Sequence, residues 1–156
     1  MATNPKIQKI INVAVASASG AGVTVALIAS DGPILAGIWG TMIYKIAKEH
    51  DVDFDTEACV KIATAVIAGS AAWMAGCKIL TKILTWTMVA IPVALGINAV
   101  INAFYTWRLG VGFDKIFSQS GYEKTITKLA SIAITFLAPI PKLSEVSDFF
   151  DDVVLS

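Results

Sequence analysis

The chain has 156 residues, of which 56% are hydrophobic and only 15% charged, and its mean hydropathy is +0.71. Soluble domains contain about 25% charged residues, so this composition argues against an ordinary soluble domain and places the chain in a membrane or inside a tightly packed oligomer. Twelve basic and twelve acidic residues give a net charge of zero, so we expect no nucleic-acid partner. The length predicts one domain over residues 1–156.

The first predicted helix comes from the uncharged run 10–30, which is too long for a strand and has glycine in its middle. Small residues recur in it at every fourth position. Such a stripe lets two helix backbones approach closely, either in a membrane or at a helix crossing in a soluble core, and both interpretations stay open. The stripe consists of Ala14, Ala18, Gly22 and Ala26.

Two further helices are predicted over residues 33–49, after a break at 30–33, and over 57–77. Each places bulky side chains on one face and small ones on the other. Because neither face is charged, we expect both faces to meet other helices or lipid. The small faces include Gly37, Gly40, Gly69 and Gly76.

The acidic stretch HDVDFDTE, residues 50–57, separates these two helices. Its alternating aspartates resemble a calcium loop, but the sixth position is Thr56 where such a loop needs glycine. The stretch instead predicts a cap for the helix that follows. His50 has no second ligand at metal spacing, which favours a solvated loop histidine.

The two cysteines, Cys59 and Cys77, fall on the same predicted helix. They would lie about 27 Å apart along it, which is too far for a disulfide. Free thiols are typical of a reducing compartment.

The uncharged run 83–107 gives the strongest indication of a bilayer span. Aromatic and cationic residues at its two ends predict interfacial anchors, namely Trp86, Tyr105, Trp107 and Arg108. Asn98 and Asn102 lie one turn apart and would be costly against lipid, so we expect them to face a neighbouring helix.

Pro92 interrupts this run and leaves two interpretations open. Hydropathy favours one span, whereas the pair Pro92 and Gly96 favours a corner between two helices, and the resulting hairpin is preferred. Gly96 also joins the small residues predicted at helix contacts. A polar break is predicted from Gly110 to Gly121.

Two helices complete the prediction. The first covers about residues 122–137, and the second, at 142–156, is amphipathic and acidic, as in an ordinary surface helix. Its acidity argues against binding to anionic lipid. The fold class is therefore all-α, a compact bundle of about five to seven helices with helical hairpins, membrane-embedded or buried in an oligomer.

Three features occur together within residues 16–117: the segment DGPILAGIWGTMIYKIAKEHDVDFD, the Ala- and Gly-rich helix after it, and the segment IPVALGINAVINAFYTWRLG. In these features the chain resembles the domain of unknown function 697 family of bacterial helical domains. The family's richer Pro and Asp cluster is reduced here to Asp31 and Pro33. The resemblance implies association with a membrane and with an Era-like GTPase, which another chain would supply because this one has no G-x-x-x-x-G-K-[ST].

Catalytic motifs are absent from the sequence. No G-x-S-x-G, H-E-x-x-H or C-x-x-C occurs, and there is a single histidine. We therefore expect no enzyme, no cofactor and no metal site.

Three functions remain open at this point. The leading one is a non-enzymatic helical membrane protein that forms homo-oligomers through its small-residue faces, with the lipid bilayer as a partner. The alternatives are a soluble assembly protein forming a shell, tube or filament, and a pore-forming inserter. No cleavable signal peptide is evident in MATNPKIQKI, so the predicted location is the bacterial inner membrane or membrane-associated cytoplasm.

Overall fold

The computed structural model describes residues 4–25, 32–70, 91–119, 125–138 and 142–153. Within these ranges it contains six helices and no strand, which confirms the predicted all-α bundle. The helices are α1 (Pro5–Val25), α2 (Gly32–Glu49), α3 (Thr56–Gly69), α4 (Ile91–Ser118), α5 (Ile126–Leu137) and α6 (Leu143–Val153).

The core lies where α1, α2 and α4 meet, and the contact between α1 and α4 is the most extensive among the described helices. Ile7, Ile11 and Val15 recur at intervals of four along α1 and are buried, because this spacing keeps one helical face inward. Trp39 of α2 is also buried and donates its indole N–H to the Thr106 hydroxyl of α4, at 2.8 Å. The hydrogen bond satisfies both polar groups inside an apolar interior.

The start of α3 confirms the predicted cap. The Asp55 carboxylate accepts a hydrogen bond from the Ala58 backbone N–H at 2.7 Å, which satisfies a donor that the first turn leaves without a helical partner. The end of α3 differs from the prediction, because the helix stops at Gly69 with Ser70 as its C-terminal cap. A single helix over 57–77 is therefore wrong, and residues 71–77 lie outside the described part.

Two breaks expected from the sequence are absent from the long helix α4. Residues 91–96 are helical, so the predicted corner is wrong. Pro92 lies in the first turn, where its missing N–H removes no helical hydrogen bond. The helix also continues through Gly110 and Gly112 to Ser118, although glycine within a helix costs about 1 kcal/mol relative to alanine.

Gly110 stays inside α4 because α1 and α2 approach its backbone. A Cβ atom there would lie 2.7 Å from Ile11 Cγ1 and 3.1 Å from Met42 Sδ. The glycine predicted to end the helix therefore marks a close contact between three helices, and the predicted polar break at 110–121 is wrong as far as Ser118.

None of the described helices combines the length and the hydropathy needed to cross a bilayer. The predicted spans over 10–30 and 83–107 gain no support from these residues, and residues 26–30 and 83–90 lie outside the described part.

Candidate functional site

The structure divides the small residues predicted at helix contacts into two groups. Ala14 and Ala18 are buried in the core, and Gly40 and Gly69 lie against Val60 and Ile134 respectively. These four serve packing within one chain. In contrast, a Cβ atom at Gly37 or at Gly96 would meet no other atom within 4 Å. The packing of Gly22, Ala26 and Gly76 lies outside the described residues.

Gly37 lies in an open groove of about 500 Å³ between α1 and α2. Lys6 Nζ near the start of α1 lies 3.9 Å from Glu49 Oε2 at the end of α2, so the two helices run antiparallel along the groove, with Ile10 and Lys45 towards one end and Ser17 and Pro33 towards the other. Most of the lining is apolar or small, and among the described residues that line the groove Lys45 is the one charged side chain. The groove therefore offers a shallow surface on which another helix could approach the backbone of α2.

Two bulky side chains protrude beside this groove, although exposed apolar side chains are costly in water. Val13 of α1 is 55% exposed and Ile34 of α2 is 46% exposed. The exposed face of α1 also includes the small residues Ala16, Ser17 and Gly20. The predicted stripe of Ala14 and Ala18 is covered by the rest of the chain. The exposed small residues of α1 therefore lie on a different face of the helix from that stripe.

Three of the four residues predicted as interfacial anchors are largely enclosed by the chain. Tyr105 and Trp107 are 5% and 3% exposed, and the Arg108 side chain is 10% exposed and forms an ion pair of 2.7 Å with Glu145. The anchor assignment is corrected for these three, because groups enclosed by the chain cannot face a bilayer interface. Trp86 lies outside the described residues.

Only one of the two asparagines predicted at a helix contact has a described side chain. Asn102 is 4% exposed, in agreement with a position at a helix contact. The side chain of Asn98 lies outside the described part.

A hydrogen bond that the sequence did not predict joins the C-terminal end of α2 to α4. His50 Nε2 lies 2.8 Å from Asp114 Oδ1, and the two side chains are 18% and 4% exposed. The Phe117 ring lies beside the imidazole, with the centroids 6.4 Å apart. The prediction of a solvated loop histidine is therefore wrong.

The turn that ends α2 positions His50. The Val52 N–H donates to the Ala47 carbonyl at 2.8 Å and the Asp51 N–H donates to the Lys48 carbonyl at 3.2 Å, while Asp51 adopts a positive φ of 54°. This is a Schellman turn, and Val52 and Ala47 are both buried beneath it. His50 occupies the cap position and is thereby held against α4.

The described residues offer few reactive or metal-binding groups. Among the described residues, no group of three or more His, Cys, Asp and Glu side chains is placed to hold a metal ion. Cys59 is fully buried, and burial, together with the nearby Asp55 carboxylate, raises the pKa of its thiol from 9.0 to about 11, while Lys48 opposes the rise. Because the thiolate is the nucleophile, Cys59 is a packing residue.

Cys59 should accordingly react slowly with a thiol reagent. At pH 8 a pKa about two units above the ordinary value lowers the thiolate fraction about 100-fold. We expect the alkylation rate of a Cys77→Ser variant, which retains Cys59 alone, to rise by at least that factor in concentrated urea. Equal rates in the folded and unfolded chain would contradict the burial of this thiol.

No family model, curated protein or solved structure matches this chain. The relation to the domain of unknown function 697 family therefore stays a prediction.

Proposed function

We propose that this chain is a non-enzymatic helical protein that self-associates, and that two copies meet along the groove between α1 and α2. The observation that carries the proposal is the open backbone of Gly37 beside the protruding side chains of Val13 and Ile34. One surface holds both a depression and the kind of side chain that would fill it.

A two-fold axis makes such a surface self-complementary. In an isologous dimer the same patch occurs on both subunits, so Val13 of each copy can lie over the open backbone of its partner. An antiparallel arrangement also separates the two Lys45 side chains, because this residue lies at one end of the groove. The net charge of zero leaves no overall repulsion between the copies.

The same surface also supports a second candidate function, an open assembly. A shallower depression lies on the other side of Val13, lined by Pro5, Gln8, Lys9, Asn12 and Ala16. If Val13 of one copy entered this depression on the next copy, the contact would be heterologous and would extend into a ring or filament. A shell, tube or filament is thus the alternative to a closed dimer.

The remaining parts of the proposal rest on the sequence. Action beside a GTPase in trans comes from the family resemblance. A lipid bilayer partner, a pore-forming role and a location at the bacterial inner membrane or in membrane-associated cytoplasm come from hydropathy and from that resemblance.

Light scattering during size exclusion without detergent tests the proposed interface. We expect the wild-type chain to elute as a dimer or larger particle. Val13→Glu should weaken association by at least about tenfold, because a carboxylate in an apolar contact has no partner. Gly37→Leu should weaken it too, because the side chain fills the groove.

Ser131→Glu is the matched control, since Ser131 is exposed on α5 and lies outside the groove. This variant should associate like the wild type. A wild-type monomer at about 100 μM, a concentration well above the Kd of most specific dimers, would refute the proposal. Flotation of the same sample on liposomes tests the bilayer partner separately.

A further inference from the structure

The C-terminal helix α6 is attached to the bundle at a few well-defined points on α1 and α4. Phe149 is a buried apolar contact of this helix, 4% exposed, with its ring centroid 5.6 Å from that of Phe104 and 5.7 Å from that of Trp107. Edge-on aromatic contacts at these separations are favourable. The ring of Phe149 therefore fixes the middle of α6 on the surface of α4.

Polar contacts between α4 and α6 flank Phe149 on both sides, with the same helix as donor in each. Trp107 Nε1 donates to Asp152 Oδ2 at 3.2 Å, and Arg108 Nε lies 2.7 Å from Glu145 Oε1. In both contacts α4 supplies the N–H group and α6 supplies the carboxylate. The surface thus recognises an acidic, an aromatic and an acidic side chain at the spacing of residues 145, 149 and 152.

The end of α6 is recognised as well. The side-chain amides of Gln8 and Asn12 each donate to the Asp152 backbone carbonyl at 3.3 Å. The last carbonyls of a helix have no intrahelical donor, so these amides identify where the bound helix finishes. Side chain and backbone together define a helical ligand with a fixed direction and register.

α6 fills this surface incompletely. A cleft of about 250 Å³ remains beside it, lined by seven residues from both helices: Val100, Ile101, Phe104, Tyr105, Val146, Phe149 and Phe150. Val100 and Phe150 are 53% and 47% exposed at its edge. A helix of 11 residues is too short to be stable alone in water, so α6 depends on its docking contacts and is suited to displacement.

We propose that the surface formed by Gln8, Asn12, Phe104, Trp107 and Arg108 is a binding site for an acidic amphipathic helix of a partner protein, and that α6 occupies it until that helix displaces it. This surface is separate from the groove between α1 and α2. An acidic helix bound to it is an example of an amphipathic helix binding in a groove.

The open cleft indicates how a partner differs from α6. A tethered helix has an effective concentration in the millimolar range, so a free helix of identical sequence gains no advantage over it. A helix with a larger apolar side chain at the position of Val146 would fill the cleft and bury more apolar surface. The partner helix therefore combines the acidic–aromatic–acidic spacing with a bulky residue one position after the first acid.

Three synthetic peptides of residues 142–156 test this with the wild-type full chain, so no result depends on the folding of a variant. One has the native sequence, one carries Val146→Phe, and one carries Glu145→Lys with Asp152→Lys. Fluorescence anisotropy of labelled peptides gives their Kd values. Hydrogen exchange of residues 143–153 in a nitrogen-15-labelled chain reports whether α6 has been displaced.

We expect the Val146→Phe peptide to bind about tenfold more tightly than the native peptide and to accelerate exchange in α6 of the full chain. The lysine peptide should do neither. Binding of the lysine peptide as tight as that of the Val146→Phe peptide, or unchanged exchange in α6, would overturn the proposal. Equal Kd values for the native and Val146→Phe peptides would show that the cleft gives a bulkier helix no advantage, and would also reject the partner helix.

Discussion

Replacing His50 with alanine should lower the free energy of unfolding by about 2–4 kcal/mol. His50 pairs with Asp114, whose side chain is only 4% exposed, and a buried carboxylate that loses a partner keeps its desolvation cost. The expected loss lies somewhat below that of a fully buried pair, because the His50 side chain is 18% exposed and water can enter the vacated space. Urea unfolding at pH 7, followed by circular dichroism, measures the change.

Lys48→Ala is the control for this experiment. Lys48 Nζ lies 3.9 Å from Asp53 Oδ1, and the two side chains are 51% and 103% exposed, so this substitution should change stability by less than about 0.5 kcal/mol. Adding Asp114→Asn to the His50→Ala chain should recover part of the loss, because a neutral amide is less costly to bury. Similar midpoints for His50→Ala and Lys48→Ala would contradict a stabilising role for the buried pair.

The local features of the fold were predictable because they depend on neighbouring residues. Pro33 and the break before it indicated where α2 begins, and the acidic stretch indicated a cap that the structure assigns to Asp55. The end of α5 at Leu137 also agrees with the prediction. Each of these features is encoded within one or two helical turns.

The contacts that decide which side chains are buried were harder to predict from the sequence, because they join distant parts of the chain. His50 and Asp114 are 64 residues apart, and nothing beside either residue indicates the other. One signal was present in the sequence: if residues 110–118 are helical, Asp114 lies on the same face as Trp107 and Phe117, seven residues before and three after it. The glycines at 110 and 112 concealed this face by suggesting a break.

The same lack of information about distant contacts explains the incorrect anchors and the small-residue stripe that the core covers. Hydropathy shows that a face is apolar but does not show whether the chain covers it. Trp107 and Arg108 are matched by acidic groups on α6, and Ala14 and Ala18 are covered within the core. The exposed alternative on α1, around Val13, is visible only after the helices have been packed.

Gly40→Ala should destabilise the chain by about 1–3 kcal/mol, although alanine is the better helix former. A Cβ atom at residue 40 would lie 2.6 Å from Val60 Cγ2 and 2.9 Å from Val60 Cα. The second of these is a backbone atom, so a change of rotamer cannot relieve the clash, and α2 and α3 must move apart. Loss of packing across this crossing should outweigh the gain of about 1 kcal/mol in helix propensity.

Gly37→Ala is the matched control one turn earlier on the same helix. No atom lies within 4 Å of a Cβ built there, so this substitution should stabilise the chain by about 0.4–1 kcal/mol through helix propensity and a less flexible unfolded state. Both variants should be compared by urea unfolding at one low protein concentration, because Gly37 also lies in the proposed association groove. Changes of opposite sign would establish that α2 and α3 cross at Gly40, whereas stabilisation by both substitutions would exclude so close a crossing.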